Sequence, residues 1–137
     1  MSVPVITVSF PGGKRVCASV GSHTIETDQP PERGGTGSAP TPFQLFLASI
    51  GTCAGYYTLS FCEKRGIPMH RIQLVQHSDV GESGHQLSKV RIEIRVPADF
   101  PDEYRRAVVQ VASQCSVKQS IAAQPEFTIE TVVVEES

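Results

Sequence analysis

Hydrophobic and polar positions divide the chain into three kinds of stretch. Residues 3–10 alternate weakly, with Val3 and Val5 followed by Ile6, Val8 and Phe10, and are rich in β-branched types; this predicts a strand. Pro11-Gly12-Gly13 reads as a turn. Residues 15–19 and 23–27 are two more short strands separated by Val20-Gly21-Ser22, so residues 1–27 form a small meander. Its apolar face is thin and needs another surface to cover it. Residues 28–41 (DQPPERGGTGSAPT) are rich in Pro and Gly and predict a loop, long for a compact domain and so a place to look for function.

The second kind of stretch is residues 40–65. From 34 to 62 there is no charged side chain, and Phe43, Leu45, Phe46, Leu47, Ile50, Cys53, Ala54, Tyr56, Tyr57, Leu59, Phe61 and Cys62 make the segment apolar nearly all round. It reads as one long buried helix. Thr41 is its N-cap, Pro42 its first position, and Gln44 completes a capping box three residues on. Such a helix spans a membrane or forms the centre of a protein. Gln44, Ser49, Thr52, Thr58 and Ser60 interrupt it, and a lone span leaves two small pieces without a core, so the central position is preferred. Gly51 and Gly55, four apart among small residues, share one face and predict close approach of a second helix. In a chain of 137 residues that implies a homodimer with two such helices crossing at its centre.

The third stretch mixes both periods. Residues 71–77 and 89–96 predict two antiparallel strands joined through a loop at 79–84; Val90, Ile92, Ile94 and Val96 face one way and Lys89, Arg91, Glu93 and Arg95 the other. Tyr104, Ala107, Val108, Val111 and Ala112 form an amphipathic stripe, with Asp102 and Glu103 in the first turn, where the helix dipole favours acids. Residues 113–121 read as a break and a short helix, and residues 127–134 as a last strand. The fold class is α+β in a single domain over 1–137, made of N-terminal strands (1–27), a central helix (40–65) and a strand-strand-helix-strand part (69–137).

Charge and cysteine usage narrow the function. A net charge of −2 without blocks of like charge excludes a basic nucleic-acid footprint and a polybasic membrane patch. The start MSVPVITVSF has no basic n-region, signal-length apolar run or small-residue cleavage site, so a mature cytoplasmic protein is expected. The four cysteines, Cys17, Cys53, Cys62 and Cys115, contain no C-x-x-C pair, which argues against a zinc knuckle or a thioredoxin-type motif. His23, His70, His77 and His85 have no metal-like spacing, and no metal or cofactor is expected. Each cysteine taken alone is a small buried hydrophobe. Cys53 and Cys62, nine apart, fall on opposite sides of one helix. The C-terminal pole raises the Cys62 thiol and makes it a packing residue. Cys115 begins a short helical segment, where amides favour thiolate, with Lys118 one turn on. A Cys53–Cys115 redox pair and inert thiols both remain open at this point.

Two motifs resemble the OsmC/Ohr family (osmotically inducible and organic hydroperoxide resistance proteins). One is Pro42, Leu45 and Ala48 leading to Cys53; the other is Pro97-Ala98-Asp99-Phe100-Pro101 followed by Cys115-Ser116-Val117-Lys118. The 62-residue separation of the cysteines and Gly34-Gly35 before the helix also match. The resemblance implies an OsmC-like fold: an intertwined homodimer with antiparallel sheets around two long central helices and two equivalent sites at the subunit interface. It implies a thiol-dependent peroxidase for organic hydroperoxides, with Cys53 peroxidatic, Cys115 resolving and a dithiol as reductant. That chemistry fits an activated thiol beside a second thiol. The peroxidase branch has a Glu after the helix-opening Pro, which holds an Arg against the thiolate. Here that residue is Phe43, which cannot orient a guanidinium, and the candidate cations are Arg15, Arg33 and Lys118. This places the chain nearer the less characterised OsmC-like branch. The alternative function is a non-peroxidase dimer that binds a small apolar ligand or senses redox state.

Overall fold

The structure, a computed structural model, describes residues 3–84 and 86–135; His85 lies outside the described residues. Two compact units form, one from residues up to 49 together with 80–88, the other from 50–79 together with 89 onward.

In the first unit, β1 (Ile6–Gly12), β2 (Arg15–Val20) and β3 (His23–Thr27) pair antiparallel in the order β1-β2-β3. Ile6 lies opposite Val20 and Gly12 opposite Arg15, with a register shift between Ser9 and Gly12. Pro11 and Gly12 therefore belong to the strand, not to the turn expected there. The turn is Gly13-Lys14, where Gly13 takes φ 59°, a left-handed conformation that glycine adopts without a Cβ penalty. Pro11 is tolerated because β1 is an edge strand that lacks a partner on its outer side among the described residues. Every residue of β1 is exposed, so the meander's outer strand is uncovered in the single chain.

The loop that follows is ordered by a carboxylate. Asp28, 1% exposed, accepts hydrogen bonds from the N–H of Gln29 (2.7 Å), from the N–H and hydroxyl of Thr36 (3.3 and 2.9 Å) and from the N–H and hydroxyl of Ser38 (3.0 and 2.7 Å). Its own N–H donates to Pro40 O at 3.2 Å, which closes the loop. These donors, led by the Ser38 hydroxyl and amide, hold the carboxyl well below the ordinary range. A short 3-10 turn, Pro31–Arg33, sits inside the loop.

The loop delivers the chain to α1 (Pro42–Glu63). The expected capping box is present: the Gln44 N–H donates to the Thr41 hydroxyl (3.2 Å) and the Thr41 N–H to Gln44 Oε1 (3.0 Å). Burial differs from expectation. Only Ile50, Ala54, Thr58, Phe61 and Cys62 are buried, while Tyr56 and Leu59 are exposed. One stripe is thus covered by the chain itself, Leu45, Phe46, Leu47 and Tyr57 are half-buried, and the side at Tyr56 and Leu59 is open. Gly51 is also occupied differently: a Cβ there meets Gln76 Oε1 at 2.6 Å, a strand side chain and not a helix, whereas Gly55 faces open space. By length and composition α1 passes for a membrane span.

The second unit takes most of the remaining elements. β4 (Gln73–Val80) and β5 (Leu87–Arg95) pair, and α2 (Asp102–Ala112) and α3 (Ser116–Ala122) follow. Its core joins Phe61 and Cys62 of α1 to Phe100 and to Val108 of α2, with Ile72, Ile94, Val96, Tyr104, Ala107 and Val111 packed around them. The period-two reading of β5 holds on both faces: Ile94 joins this core, while Glu93 accepts from Arg91 (2.6 Å) and Arg95 (2.8 and 3.0 Å) on the other side. These bonds pull the Glu93 carboxyl down to about 2. Arg65 donates to Phe61 O and stacks 3.6 Å over the Phe61 ring, closing the C-terminal end of α1.

Residues 123–135 form no helix or strand, in place of the strand expected over 127–134. Phe127, Ile129, Val132, Val133 and Val134 are exposed. The β-branched alternation is there, but a strand exists only when another strand satisfies its backbone, and none of the described residues does so.

Candidate functional site

The site lies where α1 meets the start of α3, within the second unit. α1 places Cys53 in its middle, flanked by the buried Ile50 and Ala54, so the thiol projects from a helix whose neighbouring turns are fixed in the core. The other half comes from the break after α2. The chain leaves α2 at Ser113, whose hydroxyl donates to Val109 O (2.7 Å), and re-enters helix at α3 with Cys115 as its N-cap residue.

The structure brings Cys53 and Cys115 together with both thiols free. Cys53 is partly accessible, whereas Cys115 is 2% exposed. The Cys53 sulfur also lies 3.7 Å from the Ser116 hydroxyl. Burial raises the Cys53 thiol, but the Cys115 thiol, the Val117 N–H and the hydroxyl and N–H of Ser116 outweigh it, and the net shift is downward. Cys115 moves the other way. Burial pushes it up first and its role as donor to Cys53 pushes it further, while the Lys118 and Val117 amides, close but not in capping geometry, oppose this in part. The arrangement therefore favours a thiolate on the accessible sulfur and a protonated thiol on the enclosed one.

The other candidates sort clearly. Lys118 sends its ammonium to Ser113 O at 3.4 Å, so its help to the Cys115 sulfur comes from its backbone N–H, not from the side-chain charge expected. Arg15 lines a cavity of about 260 Å³ in the first unit, with Gly12, Gly13, Lys14, Asp28, Gly34, Gly35 and Thr36. Arg33 ends the 3-10 turn of that unit and donates its N–H to Pro30 O at 2.9 Å. Phe43, where the peroxidase branch carries Glu, sets its ring 5.8 Å from that of Phe46. Cys62 is wholly buried, and its thiol is raised by that burial, against the opposing charge of Arg65, and not by the helix pole expected. His77 Nε2 stands 3.7 Å from Glu93, and no group of three His, Cys, Asp or Glu suited to a metal occurs among the described residues. The residue that sequence reasoning passed over is Ser116. Its signal was a hydroxyl directly after the cysteine that opens a helix, in the run Cys115-Ser116-Val117-Lys118.

Comparison with known proteins identifies the family and the fold. The family model described as OsmC-like protein matches residues 35–130, which include Cys53 and Cys115 and exclude Arg15 and Arg33. The chain belongs to the OsmC-like family. An osmotic stress induced and detoxification response protein of Psychrobacter arcticus shares its fold at a TM-score of 0.73, with 20% identity over 88% of this chain and 89% of that one. The organic hydroperoxide resistance protein OsmC of Legionella pneumophila gives 0.58, with 17% identity over 88% and 90%. The organic hydroperoxide resistance protein OhrB of Bacillus subtilis gives 0.51, with 19% identity over 88% and 92%. No curated protein matches the sequence. The α+β fold with antiparallel sheets is thus that of the OsmC/Ohr proteins, and α1 is the core helix of that fold and not a span.

Proposed function

We propose that this chain is a thiol-dependent peroxidase that reduces organic hydroperoxides through Cys53 and Cys115. The observation that carries the reading is the meeting of an accessible thiol shifted toward thiolate with an enclosed thiol shifted toward its protonated form. The Cys53 thiolate attacks the terminal oxygen of the hydroperoxide. The O–O bond breaks, the sulfur becomes sulfenic acid, and the alkoxide takes a proton from water and leaves as alcohol. The Cys115 thiol then attacks the Cys53 sulfur, an S–S bond forms and water is released. A dithiol reduces the disulfide by two exchange steps and is itself oxidised to a disulfide. Two neighbours in fold carry hydroperoxide resistance in their names, which supports the substrate class.

The working form under this proposal is an intertwined cytoplasmic homodimer serving antioxidant defence. Three surfaces support a second copy: the exposed β1, the uncovered side of α1 at Gly55, Tyr56 and Leu59, and the unpaired apolar residues of 127–134. In the dimer Arg15 or Arg33 is the cation that attends the thiolate. The test is consumption of an alkyl hydroperoxide with a dithiol. Cys53→Ser abolishes it, and Cys115→Ser treated with the hydroperoxide in the absence of the dithiol gives a trappable sulfenic acid in place of the Cys53–Cys115 disulfide. No consumption with any of several dithiols overturns the proposal.

A second reading rests on Phe43 and Phe46, whose paired rings put apolar surface where the peroxidase branch has a carboxylate. It is a dimer that binds a small apolar ligand or senses redox state. A Cys53 pKa near the free-thiol value of about 8.5 favours this reading.

A further inference from the structure

We propose that Ser116 is the positioning residue of the cysteine site, its hydroxyl donating to the Cys53 sulfur and holding it as an aimed thiolate. The inference rests on Cys53 being the attacking thiol of the proposed peroxidase and adds the residue that prepares it.

The contact is 3.7 Å, within reach for a sulfur acceptor, and in the neutral thiol either atom can be the donor. Ionisation removes that ambiguity. A thiolate has no proton to give, so only the serine O–H can then donate, and the contact becomes a charge-assisted hydrogen bond of the stronger kind. The bond is therefore worth more to the ionised state than to the neutral one, which is the condition for promoting ionisation. It also has a direction. Cys53 sits on the helix that supplies the unit's core, and Ser116 opens α3, so the bond ties the sulfur's rotamer to the turn that carries the resolving thiol.

The Ser116 hydroxyl shares the Cys53 sulfur with the Cys115 thiol and two backbone N–H groups, and it is the one donor among them that a side-chain change removes while leaving the second thiol in place. From α3 come the Cys115 thiol, which is drawn toward its protonated form, the hydroxyl and N–H of Ser116 and the Val117 N–H; the Lys118 ammonium is directed to Ser113 O. Along α1 the titratable neighbours one turn on are the Tyr56 and Tyr57 phenols, whose rings pack edge to face at 5.7 Å. Ser116 is itself exposed and begins a helix, so alanine is tolerated there and the hydroxyl is the only thing lost.

The experiment is the pH profile of Cys53 alkylation by iodoacetamide, followed by mass spectrometry of the Cys53 peptide. It is run on the full-length protein, on Ser116→Ala and on Ser116→Thr, each also with Cys115→Ser. Ser116→Ala moves the midpoint up by roughly half to one pH unit, since the lost bond is charge-assisted but partly open to water. Ser116→Thr, which keeps the hydroxyl, restores it, and both effects persist without Cys115. An unmoved midpoint in Ser116→Ala, or a threonine variant that behaves like alanine, overturns the assignment. The readout needs no hydroperoxide. A shifted midpoint in a protein that consumes none leaves Ser116 standing and removes the peroxidase reading; turnover with an unmoved midpoint does the reverse.

Discussion

Single side chains here do their work through donors gathered from a few residues away. Asp28 holds the 28–40 loop with five donors, and its folded-state pKa is depressed. Its contribution to stability is complete above the unfolded value of about 3.9 and is lost as pH falls toward the depressed one. The melting temperature of the protein therefore drops on going from about pH 5 to pH 2, and Asp28→Asn, less stable at neutral pH, drops by less. Parallel curves in differential scanning calorimetry sink this account. The sequence signalled such sites unevenly. Cys53 and Cys115 stood open on spacing alone and were put side by side only by the family resemblance of the two motifs that hold them. Ser116 was not legible, because its role depends on which helix lies across from it. Asp28 was missed because its partners Thr36 and Ser38 sit inside a Gly- and Pro-rich tract that reads only as loop.

Elements were most readable where their cause is local. The capping box of α1 needs only Thr41 and Gln44, and both hydrogen bonds formed as the spacing predicts. Thr41→Ala removes the side-chain half of it and costs about 1 kcal/mol in urea denaturation; an unchanged midpoint means that the cap is idle. The burial of α1 was less readable. Hydrophobicity says that a surface seeks cover, not which surface provides it. In the chain the cover reaches Ile50, Ala54, Thr58, Phe61 and Cys62, while Gly51 makes room for Gln76 of β4. The segment 127–134 shows the same limit from the sheet side: its residues have strand character, and pairing is supplied by geometry that a single sequence does not specify.

At the scale of the whole molecule, uncovered apolar surface is the dominant fact. β1 is exposed throughout, Ile129 is 96% exposed and Val133 94%. Surfaces of this extent mark interaction sites. Under the dimer proposed above, sedimentation equilibrium returns twice the chain mass of 14.8 kDa at micromolar concentration, and Val133→Lys weakens the association. A single-chain mass for the unmodified protein at that concentration removes the dimer. This part of the reading came from the resemblance and from an uncharged helix with Gly51 and Gly55 on one face, which show that a partner is wanted but not how the two copies meet, because association is a property of two surfaces and the sequence shows one.

The unequal exposure of the two thiols fixes the order of events on the return half of the proposed cycle. In the disulfide, the Cys53 sulfur is the one an incoming reductant meets, since Cys115 is enclosed. Attack there makes the mixed disulfide on α1 and expels Cys115 as the leaving group. A thiol whose pKa is raised leaves slowly. Within the proposed cycle the reductant therefore approaches end-on at one sulfur, and a change that lowers the Cys115 pKa speeds the step that expels it.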